Sequence, residues 1–302
     1  MPSVPRRAVC TTVIGGYEVL TEQPVAAGSA MTFVCLTDDP ELRSETWEVR
    51  LVEPALPMDP VRSARRIKLL LHEYVPEFAE TLWIDNSIRL LRTPDDLVGA
   101  TLDRADLTMV PHPFRSTVLD EFRAVAEQQL DDPARIDEQL AHYMASAPEV
   151  LEEQPYAAGF VVRRSTPDVV GLMECWWEQV LRYSRRDQLS FNWAAWRCGV
   201  VPGRLDLSSG CTGLYEGNAS AGRRHERRVE RSVVRTADFE AVLAHLHQAE
   251  TDLRTAAAER DALRAEVSSL RPAVAERDDI VATRTWRWTA PARRVWAKVR
   301  RR

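Results

Sequence analysis

Short apolar runs alternate with amphipathic stretches over the N-terminal two thirds of the chain, the pattern of a mixed, mostly parallel α/β sheet flanked by helices. Five runs predict strands: 8–14, ended by Gly15-Gly16; 31–36, ended by Thr37-Asp38-Asp39-Pro40; 82–84, ended by Asp85-Asn86-Ser87; 107–110, ended by Pro111-His112-Pro113; and 158–162. Between the second and third, Asp59-Pro60 reads as the N-cap and first residue of a helix running to about His72. Its apolar positions Val61, Ala64, Ile67 and Leu71 recur at three- and four-residue steps; Arg62, Arg65 and Arg66 share another face, with Lys68 at the edge. A helix from Pro167 carries one apolar stripe through Trp176 and Trp177, and Leu189, Trp193 and Trp196 form a second. Core packing accounts for most of these indoles and leaves at most one to line a pocket.

The pattern changes at Asp238, where heptads begin. Positions a are Phe239, Leu246, Leu253, Arg260, Val267, Val274 and Val281; positions d are Val242, Ala249, Ala256, Leu263, Leu270 and Arg277. This predicts a coiled coil over 238–282, most simply a homodimer, with the two arginines weakening the seam and Pro272 kinking or ending it. Before it, 199–237 mixes a Gly-rich stretch with an Arg-rich one, and a lid, an acceptor site and a charged linker (221–237) all fit.

Composition sharpens this division. From Arg284 onward there are eight basic residues and no acid, so residues 1–283 carry −13 of a net −5. In that tail Trp288, Ala292, Val295, Trp296 and Val299 fall on one helical stripe flanked by Arg and Lys, as in a helix lying on an anionic membrane surface. An acidic body and interfacial tryptophans argue against nucleic acid as the partner. There is no apolar run long enough to span a bilayer and no leader-like core at the N-terminus, and five scattered cysteines show neither a disulfide framework nor metal-ligand spacing. These features predict a cytoplasmic protein, peripheral on the inner face of a plasma membrane. Lys68 and Lys298 are the only lysines, a bias the composition of a GC-rich genome explains.

Chemistry is expected where strands end, because open α/β sheets bind ligands beyond the carboxyl ends of their strands. Thr11, Thr12, Tyr17, Asp38, Asp39, Asp85 and His112 are placed to share one crevice. Arg62, Arg65 and Lys68 read either as a diphosphate clamp or as a solvated face. Asp85 reads either as a carboxylate for Mg²⁺ or Mn²⁺ held jointly with substrate phosphates, or as a turn former. Ser184-Arg185-Arg186-Asp187-Gln188-Leu189-Ser190-Phe191 looks like a helix start, with Asp187 as N-cap and its cations either structural or facing a polar ligand.

Thr11-Thr12-Val13-Ile14-Gly15-Gly16-Tyr17-Glu18 and Val34-Cys35-Leu36-Thr37-Asp38-Asp39 resemble the opening of the glycosyltransferase-like domain family of plant mucilage and pectin factors and bacterial polysaccharide loci. Arg62-x-x-Arg65-x-x-Lys68, Leu82-Trp83-Ile84-Asp85-Asn86-Ser87-Ile88, His112-Pro113-x-Arg115, Trp176-Trp177-Glu178 and Arg186-Asp187-Gln188-Leu189-Ser190-Phe191 continue that resemblance in order, over about residues 8–205. It implies a GT-A-type fold in residues 1–220 and transfer of a sugar from a nucleotide diphosphate sugar to a hydroxyl of a cell-surface polysaccharide or lipid-linked glycan. Arg62, Arg65 and Lys68 would face the diphosphate, with Thr12, Tyr17, Asp38, Asp39, His112 and Arg115 also on the donor side. Asp187, Gln188 and Arg186 would serve the chemistry, and Asp85 would hold Mn²⁺ or Mg²⁺ in place of the family's Asp-x-Asp-like pair, although its triplet has a single carboxylate. Ala157-Ala158-Gly159 departs from relatives that carry an acid there. Thr285-Trp286-Arg287-Trp288-Thr289-Ala290-Pro291 resembles the tail closing many bacterial cell-envelope sugar transferases (283–302). The rival reading is a non-catalytic adaptor that scaffolds polysaccharide-synthesis enzymes through its coil.

Overall fold

The computed structural model describes residues 6–16, 18–205, 215–217, 236–283 and 287–299, so the expectations for Tyr17 and for most of the 221–237 linker fall outside the described residues. The chain divides into two units, Met1–Phe239 and Glu240–Arg302.

In the first unit a seven-stranded sheet runs in the order β3-β2-β1-β4-β7-β6-β8: Glu48–Leu51, Thr32–Thr37, Arg7–Val13, Glu80–Ile84, Tyr156–Arg164, Leu107–Pro111 and Gly203–Arg204. Four neighbouring pairs are parallel, whereas β7 runs antiparallel to both β4 and β6. All five predicted strands are present, with ends moved by one or two residues. The edge strands β3 and β8 were not expected, nor was the antiparallel pair β5 (Ile88–Leu90) with β9 (Tyr215–Gly217). These are short, and β3 and β8 contain no buried residue, so they carry little apolar periodicity.

Side-chain alternation along the central strands feeds two cores. Ala8, Cys10, Val34, Leu36 and Trp83 face a layer that includes helix α1 (Pro60–Leu69), α6 (Pro167–Arg182) and α7 (Phe191–Cys198). Val9, Val13, Phe33, Cys35, Leu82 and Ile84 face the opposite side, packed on α3 (Asp95–Leu102) and β5. Between these elements lie α2 (Leu71–Tyr74), α4 (Val118–Glu127) and α5 (Pro133–Ser146).

Helix starts follow the sequence. Asp59 accepts from the Arg62 amide with Pro60 at the first turn, Thr166 accepts from Val169 ahead of Pro167, and Thr117 and Asp120 close a capping box on α4. Gly199 ends α7 in the left-handed region at φ 66°, and Gly15 and Gly16 turn the chain after β1 at φ 78° and 65°.

Helix α8 runs over Thr236–Ala282, mostly within the second unit, with Pro272 inside it. The helix does not end at Pro272. The seam residues Leu253, Leu263, Val267, Leu270, Val274 and Val281 are all exposed. A final helix, α9, spans Ala290–Val299, and no helix among the described residues is long and apolar enough to cross a membrane.

Candidate active site

The site grows from one lysine. Helix α1 turns Ala64, Ile67 and Lys68 toward the core, so Lys68 is not at the rim of a solvated face but 1% exposed. Its Nζ lies 2.8 Å from Oδ2 of Asp187 and 3.2 Å from Oδ1 of Asp85. Arg163, buried on β7, donates to the carbonyls of Lys68 (2.6 Å) and Leu69 (3.4 Å) and so anchors the last turn of α1. Desolvation draws the Arg163 guanidinium down to about 10, a cost offset by those two helix-end carbonyls.

Asp85 follows β4 directly. Its Oδ1 accepts from the Trp83 indole at 2.8 Å as well as from Lys68, and its amide donates to the Gly159 carbonyl on β7. A Cβ on Gly159 would lie 3.4 Å from Asp85 Oδ2, so the glycine leaves that oxygen clear. Asn86 turns the other way, accepting from the Thr21 amide and donating to the Val19 carbonyl.

Asp187 sits in a short 3-10 turn, Asp187–Leu189, before α7. It does not cap that helix: its buried carboxylate faces Lys68 and, at 3.2 Å, Arg65. Burial alone would raise this carboxyl, but Arg65, Lys68 and Arg186 outweigh it and hold it well below the ordinary range. The turn is fixed by the Trp176 indole, which donates to the Asp187 carbonyl at 2.9 Å, and Trp176 itself is core. Arg186 donates to Gln188 Oε1, tying those two side chains to each other.

A third carboxylate, one the sequence did not mark, lies next to this group. Glu121, in the first turn of α4, is 4% exposed; its Oε2 is 3.2 Å from Arg115 Nε and 3.8 Å from His112 Nε2. Burial pushes its carboxyl up against the opposing pull of Arg186 and Arg115, while burial with the same two arginines pushes the His112 imidazole down. His112 is thus a neutral ring, its Nδ1 accepting from the Phe114 amide at 3.2 Å. An acid in the first turn of a helix reads in sequence as a partner for the helix dipole, which is why Glu121 gave no signal.

Other expected site residues make separate contacts. Arg62 donates to Asp59 and to the carbonyls of Val180 and Tyr183, so its fork ties α1 to α6. Asp38 accepts from the Gly15 amide, Asp39 from the Glu41 amide, and Thr12 donates to the Leu36 carbonyl, which closes the β1 and β2 ends against each other. The structure therefore joins Lys68, Arg65, Asp85, Asp187, Arg186, Glu121, His112 and Arg115, and leaves Arg62, Asp38, Asp39 and Thr12 to local bonds.

For a divalent ion the donor set is poor. One carboxylate stands at the position, an ammonium shares its Oδ1, and among the described residues no three His, Cys, Asp or Glu side chains gather at ligand spacing. An ammonium fixed there repels a dication and itself supplies charge suited to phosphate oxygens.

Residues 31–211 match the model of the TOD1/MUCI70 glycosyltransferase-like domain. The chain belongs to this family. Among curated proteins it is similar to the probable hexosyltransferase MUCI70 of Arabidopsis thaliana, 30% identical over 155 residues, which span 48% of this chain and 27% of that protein. The chain therefore matches about a quarter of its relative's length. Among solved structures it is similar to apo mouse xyloside xylosyltransferase 1, with a TM-score of 0.42 and 14% identity over 67% of this chain and 86% of that one. The family match takes in Asp85, His112, Glu121 and Asp187 together with Arg65 and Lys68, so every group in the charged cluster belongs to the TOD1/MUCI70-like domain.

Proposed function

We propose that the first unit is a glycosyltransferase that moves a sugar from a nucleotide diphosphate sugar to a hydroxyl of a glycan acceptor. The observation that carries this reading is a buried lysine held between a strand-end aspartate and a second, ion-paired aspartate inside a domain of this family.

Breaking the bond from the anomeric carbon leaves negative charge on the diphosphate, and groups fixed in advance stabilise it without reorganisation. Lys68 and Arg65 supply that charge, and Asp187 holds both cations in place. A carboxylate so strongly paired is a weak proton acceptor, so Asp187 acts as a positioning residue. Glu121, whose carboxyl is raised by burial, is the better match for the proton of the acceptor hydroxyl, with the neutral His112 beside it. In this reading Lys68 takes the electrostatic role expected of Mn²⁺ or Mg²⁺ at Asp85.

The second unit suggests how the enzyme is placed. The exposed heptad seam of α8 suits a second copy of the chain, and the basic end, with Trp288 89% exposed just before α9 and Trp296 67% exposed on it, suits the inner, anionic face of a plasma membrane and hence an acceptor of the cell envelope.

Incubation of the full chain with UDP-, GDP-, dTDP- and CDP-sugars is expected to release nucleoside diphosphate slowly from one class by hydrolysis. Asp85→Asn should lower that rate by about 10²-fold or more, as for removal of a group that fixes transition-state charge. Pyrophosphate released from a nucleoside triphosphate and a sugar 1-phosphate would instead indicate a nucleotidyltransferase, and no product from either mixture, with no nucleotide bound, an adaptor.

A further inference from the structure

Beside the charged cluster lies a groove of about 640 Å³, lined by Glu153, Gln154, Asn192, Trp196, Val201 and Arg204 among others. Its volume falls in the range of small-molecule sites. The groove is continuous with the cluster through backbone: Gln154 Nε2 donates to the His112 carbonyl at 3.2 Å, the His112 amide to the Pro155 carbonyl at 2.8 Å, and the Val118 amide, opening α4, to the Glu153 carbonyl at 2.8 Å. On the other wall, α7 begins two residues beyond the Asp187–Leu189 turn and presents Asn192, Ala195, Trp196 and Gly199, spaced as one helical stripe.

Two features of that stripe are unexplained by folding. Trp196 is 42% exposed, while Trp176 on α6 and Trp193 on the same helix are buried. Asn192 is 3% exposed, and its Nδ2 donates to Glu153 Oε2 (2.9 Å) and the Gln154 carbonyl (3.2 Å). Both partners are acceptors, so the amide orientation is fixed, and Asn192 Oδ1 is left with no partner. An indole at the surface and an exposed carboxylate held by a buried amide, in one groove, form the chemistry that recognises a pyranose: an apolar ring face to stack and groups that bond hydroxyls.

We infer that this groove is the acceptor subsite, seating a pyranose of the acceptor chain on Trp196 with a hydroxyl bonded at Glu153, which the buried Asn192 holds in place, and the next hydroxyl directed past Gln154 toward His112 and Glu121. This rests on the transferase reading above and adds the place and chemical class of the acceptor.

The test labels the full chain with 5-fluorotryptophan and follows its ¹⁹F resonances during titration with cellohexaose, xylohexaose, mannohexaose and hexagalacturonate to 10 mM, about the weak end expected of single-sugar contacts. The Trp196 resonance is assigned by its loss in Trp196→Phe. The expected result is a saturable shift of that resonance with at least one saccharide, at an affinity lowered about tenfold in Asn192→Ala. A Trp196 resonance that none of the four moves overturns the inference, as does a shift unchanged by Asn192→Ala. Thermal shifts with nucleotide sugars on the same sample separate the two readings. Nucleotide stabilisation with a silent Trp196 sinks the groove alone, whereas a responding Trp196 without any nucleotide effect keeps saccharide binding and sinks its role as a transferase subsite.

Discussion

At the scale of single residues the site is organised by Lys68, the one lysine before the tail in a chain whose other internal cations are arginine. Its ion pair with Asp187 is buried on both sides, and losing that charge leaves Lys68 with the more distant, part-exposed Asp85 and takes a carboxylate from Arg65; Asp187→Asn should cost about 3–5 kcal/mol in urea unfolding. Since the Asp187 carboxyl is depressed in the folded state, its contribution is present above the ordinary aspartate range and is lost as pH falls through the folded value. The difference in stability between wild type and Asp187→Asn should therefore be flat from pH 8 to 5 and shrink only in stronger acid. Glu121 has the opposite sign. Its carboxyl is raised in the folded state, so ionisation costs stability as pH rises above the ordinary glutamate value. Glu121→Gln should gain melting temperature relative to wild type between pH 4 and 7 while losing sugar transfer, and a Gln variant with full transfer would remove Glu121 from the chemistry. The sequence marked Asp85, Arg65, Lys68 and Asp187, but Asp187 reads as a helix cap there, because a carboxylate at a helix start and one in an internal ion pair look alike until the fold joins residues more than a hundred positions apart. Lys68 was placed at a rim for a similar reason: a charge on a helical wheel carries no sign of the carboxylates that will meet it.

At the scale of elements, β7 does two things at once. It brings Gly159 against Asp85 and sends Arg163 beneath the end of α1. Arg163→Met should unsatisfy the Lys68 and Leu69 carbonyls and lower stability by about 1–3 kcal/mol, while weakening nucleotide binding although Lys68 itself is unchanged. A destabilised variant with wild-type nucleotide affinity would show that α1 holds Lys68 without this support. The five longer strands and the capped helices were legible because each combines periodicity with punctuation, as Asp59-Pro60 and Thr166-Pro167 do. The two-residue β8 and three-residue β9 were not, since their existence depends on partners, β6 and β5, rather than on their own residues. Pro272 marks the converse case: a helix breaker by rule, carried inside a 47-residue helix whose other residues favour helix strongly.

At the scale of the whole molecule, an acidic domain of the TOD1/MUCI70 family is joined to a long helix with an exposed apolar seam and a basic, tryptophan-bearing end. Sedimentation of the full chain should give a dimer, and a chain ended at 239 a monomer; a monomeric full chain would remove the coiled-coil reading. The central claim concerns the lysine-centred donor site, and its most direct test is a thermal-shift screen of the full chain against UDP-, GDP-, dTDP- and CDP-sugars with Mn²⁺ or with EDTA. A ligand that binds only the native state raises its melting temperature. The account predicts stabilisation by one nucleotide class that persists in EDTA and disappears in both Lys68→Gln and Asp85→Asn. Stabilisation that requires Mn²⁺, or that survives in both variants, would contradict it.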